Sequence, residues 1–436
     1  MTSPLDTRYA SVTEGVAEIC GDMEFYITRV RVEICYLKFL LKKKPDLPQD
    51  VPILNYSDKI EMAKVYRNIK EIEKVTQHDV KAIEYYVRSI VDERIANLVH
   101  CGLTSQDVNS VATTVMFKNI EQYMRSKFLK FIEEIECLMG KTKGTKVMTY
   151  THGQPAVCSF LGREISKFYH KITKAFNNFK EKTDSLTSKF SGSIGNYTTL
   201  IGVIYEDHEI SLLHDAINTE FGTNIIFSEF ARQVDDYTSY IEFFQSIQTI
   251  FISINEFATN LWLKITRGEL VQTPVAGEKG SSVMPHKINP FRLEQARAVY
   301  NIGYGLCDAI IRTIGISMDS RDMSDSYVLR YTAEVFGNLI VILSNVQIDM
   351  KRLGPNDGKI KTVIESNLAS LSEYIQTFLR FNYTTEITDP YKLLEGLTKG
   401  KTLTYEELYT FVDGLPISDD HKEYLKGLRA DTVFGK

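Results

Sequence analysis

Four polar clusters interrupt the apolar patterning of this 436-residue chain, and their residue types suit acid–base chemistry on an anion. Thr151-His152-Gly153-Gln154-Pro155-Ala156 holds an imidazole in a turn fixed by Gly and Pro, at the start of a long helical pattern. Imidazole is the side chain best matched to proton transfer near neutral pH. A lone His is more often structural or solvated, but the fixed turn favours a positioned one. Gly280-Ser281-Ser282-Val283-Met284-Pro285-His286-Lys287-Ile288-Asn289-Pro290 has the Gly, Ser and Pro of a surface loop. A plain loop has no need of Lys287 and Asn289 between two prolines, and both are donors suited to a carboxylate. A mobile loop with such donors fits a lid that closes on an anionic substrate.

The other two clusters have strong structural alternatives. Thr104-Ser105-Gln106-Asp107 precedes a long helical stretch and serves equally as an N-cap with an acidic first turn, or as hydroxyls and N–H groups aimed at an anion. Ser320-Arg321-Asp322 through Ser326-Tyr327-Val328-Leu329-Arg330 is either a solvated face or an arginine clamp, with phosphate as the natural guest.

Long helices must position these clusters. Neither Gly nor Pro occurs in 103–139, 163–191 or 223–267, stretches too long for the rhythm of strands and turns. Within the last, Tyr237, Tyr240, Phe244, Ile247, Phe251, Ile254, Ala258, Leu261 and Ile265 repeat at alternating three- and four-residue steps. That stripe is one helical face, roughly 40 Å long, and it needs partner helices to cover it. The three prolines of 45–57 mark a connection, and a helical pattern over 57–95 breaks near Thr76–Asp79. After about Met350 the chain turns Lys-rich, with short helices and turn signals at Gly354–Pro355, Gly396, Gly400 and Gly414. The expected class is all-α, in three parts: 1–100, a central bundle over 101–350, and a small helical part over 351–436. Gly192 and Gly195 do not make a phosphate loop.

Bulk properties exclude other classes. A net charge of −5 lacks the basic footprint of a nucleic-acid binder. Six scattered cysteines without a C-x-x-C pair argue against zinc or a disulfide framework, and fit reduced cytosolic thiols. The first residues do not form a secretory signal, and no uninterrupted apolar run reaches the roughly 18 residues of a membrane span.

Together the clusters resemble the fumarase/aspartase superfamily: TSQD, THGQPA and GSSVMPHKINP match its three signature regions in type, order and spacing. The His-Gly-Gln-Pro-Ala wording, SRDMSDSYVLR, the N-terminal SPLDTRY and QHDVKAIEYY at Gln77–Tyr86 resemble its adenylosuccinate lyase family. The likeness runs from about Ser3 into the C-terminal region. It implies an all-α, three-domain fold assembled as a cytoplasmic homotetramer, with active sites shared by three subunits. It also implies elimination of fumarate from succinyl-nucleotides, with no metal or organic cofactor, no nucleic acid and no membrane.

The resemblance makes Ser281 the base and His152 the acid, with His286 the weaker catalytic choice. An unassisted serine is a poor base, so its alkoxide needs N–H donors or positive charge in a dry site. Lys287 would supply the charge, and Asn289, Ser282 and Thr104 would hold the succinyl carboxylates. Glu294 is expected to orient His152. Arg8, Tyr9, Arg321, Ser326 and Arg330 are expected at phosphate and ribose, with Tyr327, Val328 and Leu329 between the last two. Gln77, His78 and Asp79 would line the nucleotide pocket, and Ser105 and Gln233 the leaving group. The alternatives are another superfamily lyase, such as one acting on argininosuccinate, and a non-catalytic homologue that keeps only the assembly.

Overall fold

In the computed structural model, which describes residues 3–433, helices begin and end where the sequence supplies caps. Helices α1 (Ala10–Cys20) and α2 (Asp22–Leu41) part at Gly21, where any Cβ would lie 2.2 Å from the Ala17 carbonyl oxygen. Asp58 caps α3 (Lys59–Thr76) by accepting the Ile60 and Glu61 N–H groups at 2.9 and 3.1 Å. The helix stops at Gln77, which is left-handed (φ 54°). His78 then caps α4 (Asp79–Ile90), its Nδ1 accepting the Lys81 N–H at 3.2 Å. This is the break expected near Thr76–Asp79.

The Gly/Pro-poor stretches hold most of α5 (Ser105–Thr142) and α6 (Leu161–Asp184) and all of α8 (Thr238–Thr266), with α7 (Glu209–Phe221) between the last two. Helix α8 starts fifteen residues into its stretch. The residues before it include Ser228, Asp235 and Asp236, side chains that compete for backbone groups. Asp236 Oδ1 accepts the Thr238 N–H at 2.8 Å and opens the helix. From Tyr237 to Leu261 the apolar stripe is buried, and Ile265 is half-buried. Next come α9 (Phe291–Ile314), the short α10 (Ser324–Val328) and α11 (Thr332–Met350). The tail forms α12 (Asp357–Glu365), α13 (Ser372–Asn382), α14 (Pro390–Thr398), α15 (Tyr405–Asp413) and α16 (Asp419–Lys426).

Among the described residues, three two-stranded ladders join this mostly helical fold. Strands β1 (Lys146–Thr151) and β2 (Gln154–Phe160) form an antiparallel hairpin. Strands β3 (Thr187–Ser188) and β4 (Ile226–Phe227) pair in parallel, and β5 (Leu270–Gln272) pairs antiparallel with β6 (Leu353–Pro355). Gly354–Pro355, expected as a turn, is thus part of a strand.

By packing, the chain forms two compact units: residues 1–130, 172–255 and 295–344, and residues 131–171, 256–294 and 345–436. The expected parts, 1–100, 101–350 and 351–436, divide the chain by sequence order instead. The first unit buries Val30, Leu37, Ile69, Ile83 and Val87 in one core, and Tyr36, Val108, Phe190 and Leu213 in another. The second packs Met148 and Cys158, from the β1–β2 hairpin, against Leu371, Leu379, Leu408 and Leu425 of the tail. Among the described residues, one helical stretch, Ser324–Met350, has the length and mean hydropathy (1.2) of a membrane span. Of its apolar window 56% is buried within the protein, as in a core helix.

Candidate active site

In the first unit, His78, Thr104, Ser105, Gln233 and Arg321 line one cleft of about 570 Å³, a size suited to a small-molecule ligand. Asp107, in the first turn of α5, caps the entry to its own helix: its Oδ2 accepts the Thr104 N–H at 2.8 Å. The structural reading of TSQD is realised through the aspartate. Among the described residues, no hydrogen bond occupies the Thr104 or Ser105 hydroxyl. Gln233 Nε2 donates to the Ser193 carbonyl at 3.1 Å, and its Oε1 accepts from Arg321 Nη1 at 3.4 Å. Arg321 Nε is buried without a partner. The cleft therefore offers hydroxyls, an amide and a guanidinium, a donor set suited to an anion.

Asp79, Ser326, Leu329 and Arg330 line a different cavity of about 280 Å³, with Asp22, Asp325 and Glu334. The two arginines read as one clamp thus do not converge within the chain. Asp79 holds Arg330, with 3.6 Å between Oδ2 and Nη2, and also accepts from the buried Arg29 at 2.8 Å. Burial opposes the Asp79 charge, yet the Arg29 guanidinium keeps its carboxyl below the usual range. The α10 turn is fixed from within, because buried Asp325 accepts from Tyr237 Oη at 2.6 Å and Gln106 Nε2 at 3.1 Å.

Within the first unit, five expected contacts lie outside both cavities. Gln77 is exposed and caps its own helix, with Nε2 donating to the Lys74 carbonyl at 2.8 Å. Arg8 is exposed and 6.0 Å from the Tyr9 ring, and Tyr9 sits directly before α1. Tyr327 is exposed, its hydroxyl 3.3 Å from that of Tyr331, and Val328 is half-buried in α10.

In the second unit, His152 and Gly153 form the two-residue tip between β1 and β2, and both are left-handed (φ 53° and 77°). That is the type I′ geometry whose twist matches a hairpin, and it needs Gly or a tolerant residue at each place. The expected turn at a helix start is corrected to a hairpin tip, since β2 intervenes before α6. Alternating Tyr150 and Thr151 with Gln154 and Pro155 gave little strand signal. The base of the hairpin is anchored by buried Met148 and Cys158, and its tip leaves His152 exposed.

The Gly280–Pro290 loop is anchored and closed on itself. Glu278, just before it, pairs with Arg292 at 3.2 Å and Arg352 at 2.5 Å. Asn289 Nδ2 donates to the Gly280 carbonyl at 2.8 Å, and a Cβ at Gly280 would lie 2.0 Å from the Lys287 carbonyl oxygen. Ser281 Oγ accepts the N–H groups of Val283 at 3.2 Å and Met284 at 3.0 Å. Ser282 and Lys287 are exposed, and Lys287 has no carboxylate partner among the described residues. Glu294 accepts from the Trp262 indole at 3.1 Å and makes no hydrogen bond with His152. The indole takes one carboxylate oxygen, and the other has no hydrogen bond among the described residues.

Sequence reasoning passed over Asp107, Asp325 and Lys189. Asp107 and Asp325 sit inside clusters already singled out. Lys189 carries no local signal, because its importance comes from burial against Asp107 at 2.7 Å.

Comparisons with known proteins agree with this architecture. The family model described as "Lyase" matches residues 23–301. A crystal structure of fumarate lyase from Mesorhizobium sp. BNC1 superposes with a TM-score of 0.71 at 14% identity, covering 95% of this chain and 93% of that one. The fold is therefore that of the fumarase/aspartase superfamily of lyases. The family model described as "Adenylosuccinate lyase C-terminal" matches residues 317–433. Adenylosuccinate lyase of Buchnera aphidicola subsp. Baizongia pistaciae is 30% identical, over 99% of this chain and 95% of its own. That of Dictyostelium discoideum is 29% identical, over 97% and 94%. The chain belongs to the adenylosuccinate lyase family.

Proposed function

We propose that this protein eliminates fumarate from adenylosuccinate, leaving AMP, and cleaves succinyl-aminoimidazole carboxamide ribotide in the same way. A base removes the proton beside a succinyl carboxylate, its electron pair forms the new double bond, the carbon–nitrogen bond breaks, and an acid protonates the departing nitrogen. Ser281 is the base: two backbone N–H groups already face its oxygen, the support that an alkoxide needs. His152 is the acid, on a tip exposed to an incoming ligand. Lys287, Ser282 and Thr104 receive the carboxylates, and Asn289 holds the loop closed as well as serving them. Ser105 and Gln233 face the leaving group, with His78 and Asp79 at the nucleotide. Arg321 is the principal phosphate ligand; Arg330 and Ser326 assist, and Arg8, Tyr9, Gln77, Tyr327, Val328 and Leu329 complete the pocket. The working form is a cytoplasmic homotetramer in which three subunits contribute to each site.

The observation that carries this reading is the single cleft lined by Thr104, Ser105, Gln233 and Arg321, drawn from separate parts of the chain. The test is an ultraviolet assay of adenylosuccinate with purified protein. Production of fumarate and AMP supports the reading, and their absence with either succinyl-nucleotide sinks it.

A further inference from the structure

One buried carboxylate ties the cleft together. Asp107 is fully buried, and its Oδ1 accepts the N–H groups of Ser191 at 2.8 Å and Gly192 at 3.1 Å. The same oxygen lies 2.7 Å from the ammonium of Lys189, itself fully buried. Lys189 also donates to the Gly192 carbonyl, and its backbone N–H reaches Ser110 Oγ at 2.9 Å. The turn that follows ends on the Ser193 carbonyl, which receives Gln233 Nε2, and Gln233 in turn receives Arg321. The other Asp107 oxygen holds the Thr104 backbone. Three of the cleft's five predicted residues are thus reached from one side chain.

We infer that Asp107 is a positioning residue: with Lys189 it sets the Ser191–Ser193 turn, and through the Ser193 carbonyl it aims Gln233 and Arg321 into the cleft. The pair is too deep to meet substrate and acts through these neighbours. A buried ion pair is a weak source of net stability, and geometric specification is its better-attested use. Asp107→Asn keeps the shape but turns an N–H₂ toward the Lys189 ammonium or the Thr104 N–H, opposing donor to donor.

This inference rests on the proposed reaction, and the experiment separates the two. Wild-type turnover of adenylosuccinate tests the reaction; variant-to-wild-type ratios in the same assay test the positioning. Asp107→Asn is expected to raise KM by about tenfold or more while kcat changes less than about threefold, the signature of lost uniform binding. Gln233→Met interrupts the relay, so Asp107→Asn adds little further in that background. Ser110→Ala is the milder variant, leaving both charges and loosening only the Lys189 segment. It should raise KM by a few-fold, again only when Gln233 is present. The inference is overturned if KM stays at the wild-type value in Asp107→Asn, or in Ser110→Ala where the former does not fold. Fully multiplicative effects with Gln233→Met overturn it as well.

Discussion

The Met284 N–H points at Ser281 Oγ from 3.0 Å, so the hydroxyl oxygen is a hydrogen-bond acceptor before any substrate arrives. The same contact is an ordinary Ser-turn that shapes the loop. The two roles are compatible, because a group that shapes the loop by accepting N–H donors is also preorganised to carry negative charge. Loop closure then depends on Asn289. Losing its hydrogen bond to Gly280 costs on the order of 1 kcal/mol, so Asn289→Ala should lower kcat by about five- to tenfold. Steady-state kinetics check this, and an unchanged kcat would show that the loop does not need that clasp.

The hairpin tip makes a separate prediction. Gly153 sits at φ 77°, where an L side chain costs about 1–2 kcal/mol. Gly153→Ala should lower the Tm by a few degrees and cut kcat, since the imidazole beside it is re-aimed. Gly153→Asn, which tolerates the left-handed region, should recover most of both. Equal behaviour of the two variants would argue that the tip geometry is irrelevant to His152.

Arg321 and Arg330 should no longer behave as a matched pair. Arg321 lines the cleft with an unpartnered Nε, whereas Arg330 shares Asp79 with Arg29. Arg321→Ala is expected to raise the KM for adenylosuccinate by more than about tenfold, as befits a charged hydrogen-bond donor, and Arg330→Ala by less. If the phosphate is what Arg321 holds, its loss should hardly affect turnover of the dephosphorylated nucleoside. The opposite ranking would move the phosphate to the Arg330 cavity.

His214 predicts an acid-sensitive stability. It stacks on Phe227 with ring centroids 4.0 Å apart, and burial pushes its pKa down to about 4 from an unfolded value near 6.5. Between those values the unfolded chain binds the extra proton, so stability is full above about pH 6.5 and falls toward pH 4. The loss from this group is at most about 3 kcal/mol. Denaturant unfolding of His214→Phe at pH 7.5 and 4.5 should show a smaller acid loss than wild type. Identical losses would remove His214 from the account.

The long helices were legible because periodicity and the absence of Gly and Pro are local properties. The burial of Tyr240, Phe244 and Phe251 follows from them directly. The hairpin that bears His152 was not legible, since the polar residues of its strands mimic a turn. Types and order within the clusters identified Thr104, Ser105 and Arg321 as site candidates, and the family resemblance added Gln233, but neither showed which share a cleft. That depends on Asp107 and Lys189, whose pairing joins residues 82 positions apart through burial alone. The separation of Arg330 from Arg321 was not legible for the same reason: Asp79, which lies beside Arg330, is far away in sequence.

The central claim is that Ser281 takes the proton. Ser281→Ala should be assayed for fumarate release from adenylosuccinate and, in parallel, for adenylosuccinate binding by calorimetry. The account predicts a kcat lower by at least about a thousandfold with affinity within a few-fold of wild type, as for loss of a general base. Turnover near the wild-type rate would contradict it.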